Sequence, residues 1–365
     1  MRRRRVLLGA VAAVLLALLA GWLLRPRVLP EEVAVRPQVT LRAVNAGASP
    51  AVVPLPTMPA AEALAAVPAS APADRPVPIE LCCVCTVPGT STQALDRLPP
   101  GHGQQAWDVL LPRVLATLEA GGVRQRVAAR LLLAVDAPPP QRERLADEAL
   151  ALVQSAPDGP AAAWVVGLCG HSVRHCLPAA ARAWTEAEPG NAAAWVALAD
   201  ATETSRADAV ATASRAAGHR SHWGVLAATA LEAVPDDTQP YLRMMVVGKA
   251  IVADSLFMPM PAGVLQHCRE SPGPACETLA RLMAGHADNL IGQSLGESIG
   301  RTQGWPEDEL AALKARRSAL MSAAVLPGAD QPLGCTAAQA LLDAVPRMAR
   351  DGELPYLRQR LAAGR

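Results

Sequence analysis

The feature that most constrains this 365-residue chain is a helical apolar pattern that returns about every 30 residues. Leu145-Ala-Asp-Glu-Ala-Leu-Ala-Leu152 leads to Pro157-Asp-Gly-Pro-Ala-Ala-Ala-Trp164. Leu177-Pro-Ala-Ala-Ala-Arg-Ala-Trp184 leads in the same way to Pro189-Gly-Asn-Ala-Ala-Ala-Trp195-Val-Ala-Leu-Ala199. The two registers lie 32 residues apart at Pro157 and Pro189 and 31 apart at Trp164 and Trp195. Trp223 follows 28 residues later, and Pro235 and Tyr241 repeat the six-residue spacing of Pro189 and Trp195. A period of this length with two helices per unit predicts stacked hairpins, each burying its apolar face against its neighbours.

The surrounding sequence agrees. Leu111, Val114, Leu115 and Leu118 form one helical stripe, Val127, Leu131 and Val135 a second, and Leu145, Ala149 and Leu152 a third. Helix starts recur as well. Trp305-Pro306-Glu307-Asp308-Glu309 places a proline and three acids at a first turn, and Thr336-Ala-Ala-Gln339 has the spacing of a capping box. Alternating runs of strand length are nearly absent, so the expected fold is all-α, an antiparallel helix-hairpin array.

Pro189-x-Asn191-x-x-x-Trp195-x-x-Leu198-Ala199 resembles the tetratricopeptide repeat, in its inter-repeat proline and in the aromatic, leucine and small residue of the next first helix. The resemblance extends over residues 140 to 256, with Gly167 and Leu168 in reverse order after Trp164. It implies a tetratricopeptide-like α-solenoid with Trp164, Trp195, Leu198, Trp223 and Tyr241 in the repeat core. It also implies a concave face that binds a peptide or protein, and it brings no catalytic residue. Two cysteine pairs are similar in design to the bridged hairpins of Sel1-like repeat proteins.

Ahead of this domain, Val6–Leu24 is 19 residues without a charge. As a helix it reaches about 28 Å, the thickness of a bilayer's hydrocarbon. Arg2 to Arg5 precede it, with Arg25 and Arg27 after it, which predicts a cytoplasmic amino terminus and an exported remainder. A cleaved signal peptide is the rival, but the nearest small-x-small triplet beyond the span is Ala46-Gly47-Ala48. The expected organisation is a cytoplasmic basic tail at 1–5, a transmembrane helix at 6–24, a Pro/Ala-rich linker with a cysteine cluster at 25–90, and a periplasmic helical domain at 91–365. Eleven prolines between Pro26 and Pro78 keep that linker from folding as a compact unit. The expected location is the inner membrane, single-pass.

All eight cysteines fall beyond the span, at 82, 83, 85, 169, 176, 268, 276 and 335. In an oxidising compartment they read as disulfides. Cys169 with Cys176 and Cys268 with Cys276 are each spaced to join two antiparallel helices across their turn. Cys82, Cys83, Cys85 and Cys335 form the remaining set, and their connectivity stays open. Cys82-x-x-Cys85 also has the spacing of a thiol-redox pair or half a zinc site, the alternative function for this chain.

Other chemistry is argued down. Six of the 34 basic residues flank the span, leaving 28 basic against 33 acidic, which is no nucleic-acid footprint. His171 and His175 cannot share a metal with Cys169 and Cys176 on one helix. His219 and His222 read as capping or surface residues. Gly292-Gln-Ser294-Leu-Gly296 fits a nucleophile elbow, but Leu290, Ile291, Leu295 and Ile299 run straight through it as a helix stripe. Gly292, Gly296 and Gly300 then offer a face for close helix approach. No catalytic, metal or cofactor site is expected. The predicted function is non-enzymatic protein binding or scaffolding, with the partner unspecified.

Overall fold

The computed structural model describes residues 102–172, 174–259, 261–324 and 335–363. The Val6–Leu24 span, the 25–90 linker and Cys82, Cys83 and Cys85 lie outside the described residues, as do the side chains of Tyr241 and Cys335. Among the described residues there are fifteen α-helices and no strand, so the domain is all-α. No helix among them is long and apolar enough to cross a membrane.

The chain begins with α1 (His102–Glu119), α2 (Val123–Ala134), α3 (Pro139–Ser155) and α4 (Gly159–Ser172), and continues through α5 (Leu177–Ala187), α6 (Ala192–Ala201) and α7 (Arg206–Ala213). Each packs on the next through a short connection, the arrangement of successive antiparallel hairpins. The stripes read from sequence face inward: Val114, Leu118, Val127, Leu131, Leu145 and Ala149 are all buried. Alanine fills the contacts of α4, α5 and α6. Its small side chain lets helices approach closely while it favours the helix itself.

The array then turns back on itself. α8 (Val225–Glu232) and α9 (Pro240–Leu256) pack against α2, and α9 also reaches α1. α10 (Ala262–Glu270) and α11 (Pro274–His286) return to α6 and α7, and α12 (Leu290–Thr302) lies along α11. α13 (Glu307–Ala323), α14 (Cys335–Asp351) and α15 (Glu353–Ala362) close the domain, with α14 across α8 and α9. Packing is therefore not confined to sequence neighbours.

Two corrections to local expectations follow from side-chain choices. α14 starts at Cys335, so Thr336 stands inside the helix and not at its N-cap, and the Gln339 amide donates to Asp343 (2.8 Å) within the same helix. His219 is buried and His222 bonds Glu188, so neither is a surface residue. Cys169 is bonded to Cys176 and Cys268 to Cys276, with Cα atoms 5.6 Å apart in each case. The first bond ties α4 to the start of α5, the second α10 to α11.

The glycine face of α12 has the expected use. A Cβ on Gly296 would lie 2.4 Å from the Ala284 backbone nitrogen, so only glycine permits this approach of α11. Gly300 receives the indole of Trp305 instead of a helix.

Candidate functional site

The connection between α7 and α8 builds one wall of a cleft. Residues 216–222 run between the starts of α6 and α12, with parallel bridges Asn191–Gly218 and His219–Ala287. Asn191, the N-cap of α6, accepts from the backbone N–H of Ala193 and of Arg220. Its amide donates to the Arg220 carbonyl and to Glu188. On the other side, Asp288 accepts from the Ser221 N–H and hydroxyl and from the His222 N–H, at 2.9 to 3.1 Å. Asn289 caps α12 through the Gly292 N–H and donates to Ser221 Oγ. The same device, an Asn N-cap that also grips the crossing strand of chain, is thus used twice.

His222 has φ of 62°, the left-handed region that side chains other than glycine rarely enter. Its N–H is held by Asp288, and its Nε2 lies 2.8 Å from Glu188 Oε2. Glu188 also accepts from Trp184 Nε1 and Asn191 Nδ2. Burial pushes the Glu188 carboxyl up, but the His222, Asn191 and Trp184 donors outweigh it and hold it at about 2.

The cleft itself encloses about 770 Å³ between α4, α5, α6, the 216–222 connection, the end of α9 and the start of α12. That falls within the range of ligand pockets. Its walls are aromatic and apolar, with Trp164, Trp184, Trp223, Phe257 and Ile291 among them. Phe257 meets the ring of His171 edge-on at 5.6 Å. Gly167 makes the floor possible, because a Cβ there would lie 1.4 Å from the Phe257 carbonyl oxygen.

Polar groups in this wall are incompletely matched. Trp164 Nε1 and His219 Nδ1 are buried without a hydrogen-bond partner among the described residues. Native structures seldom leave such atoms unmatched, and each costs roughly 1–3 kcal/mol. Burial holds His219 below the ordinary imidazole range, with the charge of Asp288 opposing it. His171 is also lowered, by burial and then by Arg142.

Asp254 stands in the last turn of α9, where the helix's own carbonyl ends disfavour a negative charge. Its Oδ2 accepts from the Gly224 N–H at 2.9 Å. Gly224 has φ of 85°, so a side chain there would strain the backbone that presents this donor. Burial pushes the Asp254 carboxyl up to about 7, with Gly224 pulling it down and Asp288 adding to the rise. The native state therefore keeps a proton that the unfolded chain releases near 3.8. The contribution of Asp254 to stability falls as pH rises from about 4 to about 7 and is level above that. Asp254→Asn should then be more stable than the parent at pH 8, by on the order of 4 kcal/mol, and match it near pH 4. Thermal melts at the two pH values check this; equal melts at pH 8 would show that Asp254 costs the fold nothing.

The repeat-core residues are distributed as follows. Trp164 is buried in a cluster that joins α1 to α6 with α8, α9 and α14, and Leu198 packs on its edge. Trp195 packs against a second cluster formed by α6, α7 and α10 to α13. Trp223 is half-buried and lines the cleft. Asp254, Asp288, Glu188 and His219 carry no local pattern that would mark them in the sequence. Among the described residues no group of three or more His, Cys, Asp or Glu side chains is placed to share a metal ion. No family model matches the chain, and neither a curated protein nor a solved structure is significantly similar to it.

Proposed function

We propose that this chain is a non-enzymatic, membrane-tethered array of tetratricopeptide-like hairpins that binds a peptide segment of a partner protein in the cleft. The observation that carries this is the cleft's lining, with the half-buried Trp223 and the exposed Ile291 beside two buried nitrogens, Trp164 Nε1 and His219 Nδ1, that lack hydrogen-bond partners. Peptide segments supply the two things such a wall can receive, apolar side chains and backbone acceptors and donors. The tether rests on Val6–Leu24 with its arginine flanks, and the inner membrane with an exported domain follows from that orientation. The Cys169–Cys176 and Cys268–Cys276 bonds agree with an oxidising compartment such as the periplasm.

A random heptapeptide library panned on the full-length protein tests this. Selected peptides should bind Ile291→Glu at least tenfold more weakly, because Ile291 is an exposed apolar residue of the cleft wall. Val109→Glu, equally exposed on α1, should bind as the parent does. An empty selection, or peptides indifferent to Ile291→Glu, would overturn the assignment.

A further inference from the structure

We infer that the cleft's ligand presents an alkylammonium group, with Asp254 as its counter-ion and Trp223 as the aromatic wall beside it. This rests on the cleft being a ligand site and goes on to name the chemistry it selects. The Gly224 N–H that holds Asp254 belongs to the residue after Trp223, and Asp254 and Trp223 both line the cleft. Phe257 follows Asp254 by three residues, one turn further on, and lines the same cleft. An acid in a cleft that also holds aromatic side chains can receive an organic cation, by ion pairing and by attraction to a ring face.

The remaining charges point the same way. No basic side chain pairs with Asp254 among the described residues. Among these residues Arg206 is the one arginine that lines the cleft, and it donates its Nε to the Ala199 carbonyl. Asp200 lines the cleft as well, and Asp288 lies behind the 216–222 connection. Two carboxylates, Asp200 and Asp254, thus line the cleft against one guanidinium, a setting that disfavours an anion, while a purely apolar ligand would leave the buried Asp254 without a charged partner. A cation supplies that partner. The ammonium source is either a lysine side chain in a peptide or a free diamine, and the two are separated by experiment.

The test is isothermal titration of the full-length protein at pH 8 with acetyl-Ala-Lys-Ala-amide, the same peptide with norleucine for lysine, and 1,5-diaminopentane. The lysine peptide should bind at least tenfold tighter than the norleucine peptide. Asp254→Asn should lose at least tenfold in affinity for it, with the variant's fold verified by its melting temperature, and Trp223→Leu should lose several-fold. Diaminopentane binding as tightly as the lysine peptide assigns the site to free amines; weaker binding assigns it to lysine in a chain. Equal affinity for the lysine and norleucine peptides, or unchanged binding by Asp254→Asn, overturns the inference. If library peptides still bind in an Ile291-dependent way, the cleft remains a peptide site and only its cation preference falls. If nothing binds in either experiment, the peptide assignment itself falls.

Discussion

Gly167→Ala is expected to destabilise the domain by at least about 3 kcal/mol, the upper range for forcing a methyl group into a filled core. The added carbon would sit 1.4 Å from the Phe257 carbonyl oxygen and 2.6 Å from its carbon. Those are backbone atoms, so no rotamer change relieves the clash; α4 must separate from the end of α9. A helix normally gains from this exchange, because alanine is favoured over glycine by up to about 1 kcal/mol. Gly248 on α9 provides the contrast, since nothing lies within 4 Å of a Cβ there. Gly248→Ala should therefore stabilise by roughly 0.5–1 kcal/mol. Urea unfolding of both variants decides the matter. If Gly167→Ala unfolds at the same urea concentration as the parent, α4 and Phe257 are not in contact and the cleft has no floor.

Replacing both disulfides by alanine pairs is the second large effect, expected at about 5 kcal/mol in total. Each bond closes a short loop, with separations of 7 and 8 residues. Chain entropy then assigns roughly 2–3 kcal/mol to each. The two belong to different clusters, Cys169 and Cys176 with α1 to α6, α8, α9 and α14 and Cys268 and Cys276 with α10 to α13, so their losses should add. All four sulfurs are buried, and reductant should reach them only when the chain opens. Thermal melts of the two double variants and the quadruple variant give the three numbers. A quadruple variant within about 1 kcal/mol of the parent would mean that packing alone holds these turns.

What the sequence disclosed follows a physical division. Period-3.6 stripes such as Val127, Leu131 and Val135 identify their buried faces because every residue in the window votes for one helix side. The Cys169 and Cys176 spacing and the glycines of α12 are local patterns of the same kind. The return of α8 and α9 onto α2 is not local, since it depends on surfaces 100 residues apart. Trp164 and Trp195 show the limit within a single motif. They occupy matching positions in the recurrence, yet one packs into the first cluster and the other against the second. Asp254 shows it for the cleft. An acid near a helix end reads the same on a wet surface as in an aromatic recess, and only the fold brings Gly224 and Trp223 to it.

The crossing of residues 216–222 between two helix starts has a consequence for how the domain is made. Most of its packing joins neighbours in sequence, the kind of contact that forms quickly. Ser221, by contrast, meets Asp288 across 67 residues, and Arg220 meets Asn191 across 29. These bonds close only after both flanking hairpins exist. The splice therefore cannot form before the hairpins it joins. Held by a few side-chain hydrogen bonds and not by a helix, this connection is expected to open ahead of the buried helices. Exchange of the Ser221 and Asp288 amide hydrogens should run ahead of exchange at Leu118 or Leu131, and the ligand that fills the cleft should slow it.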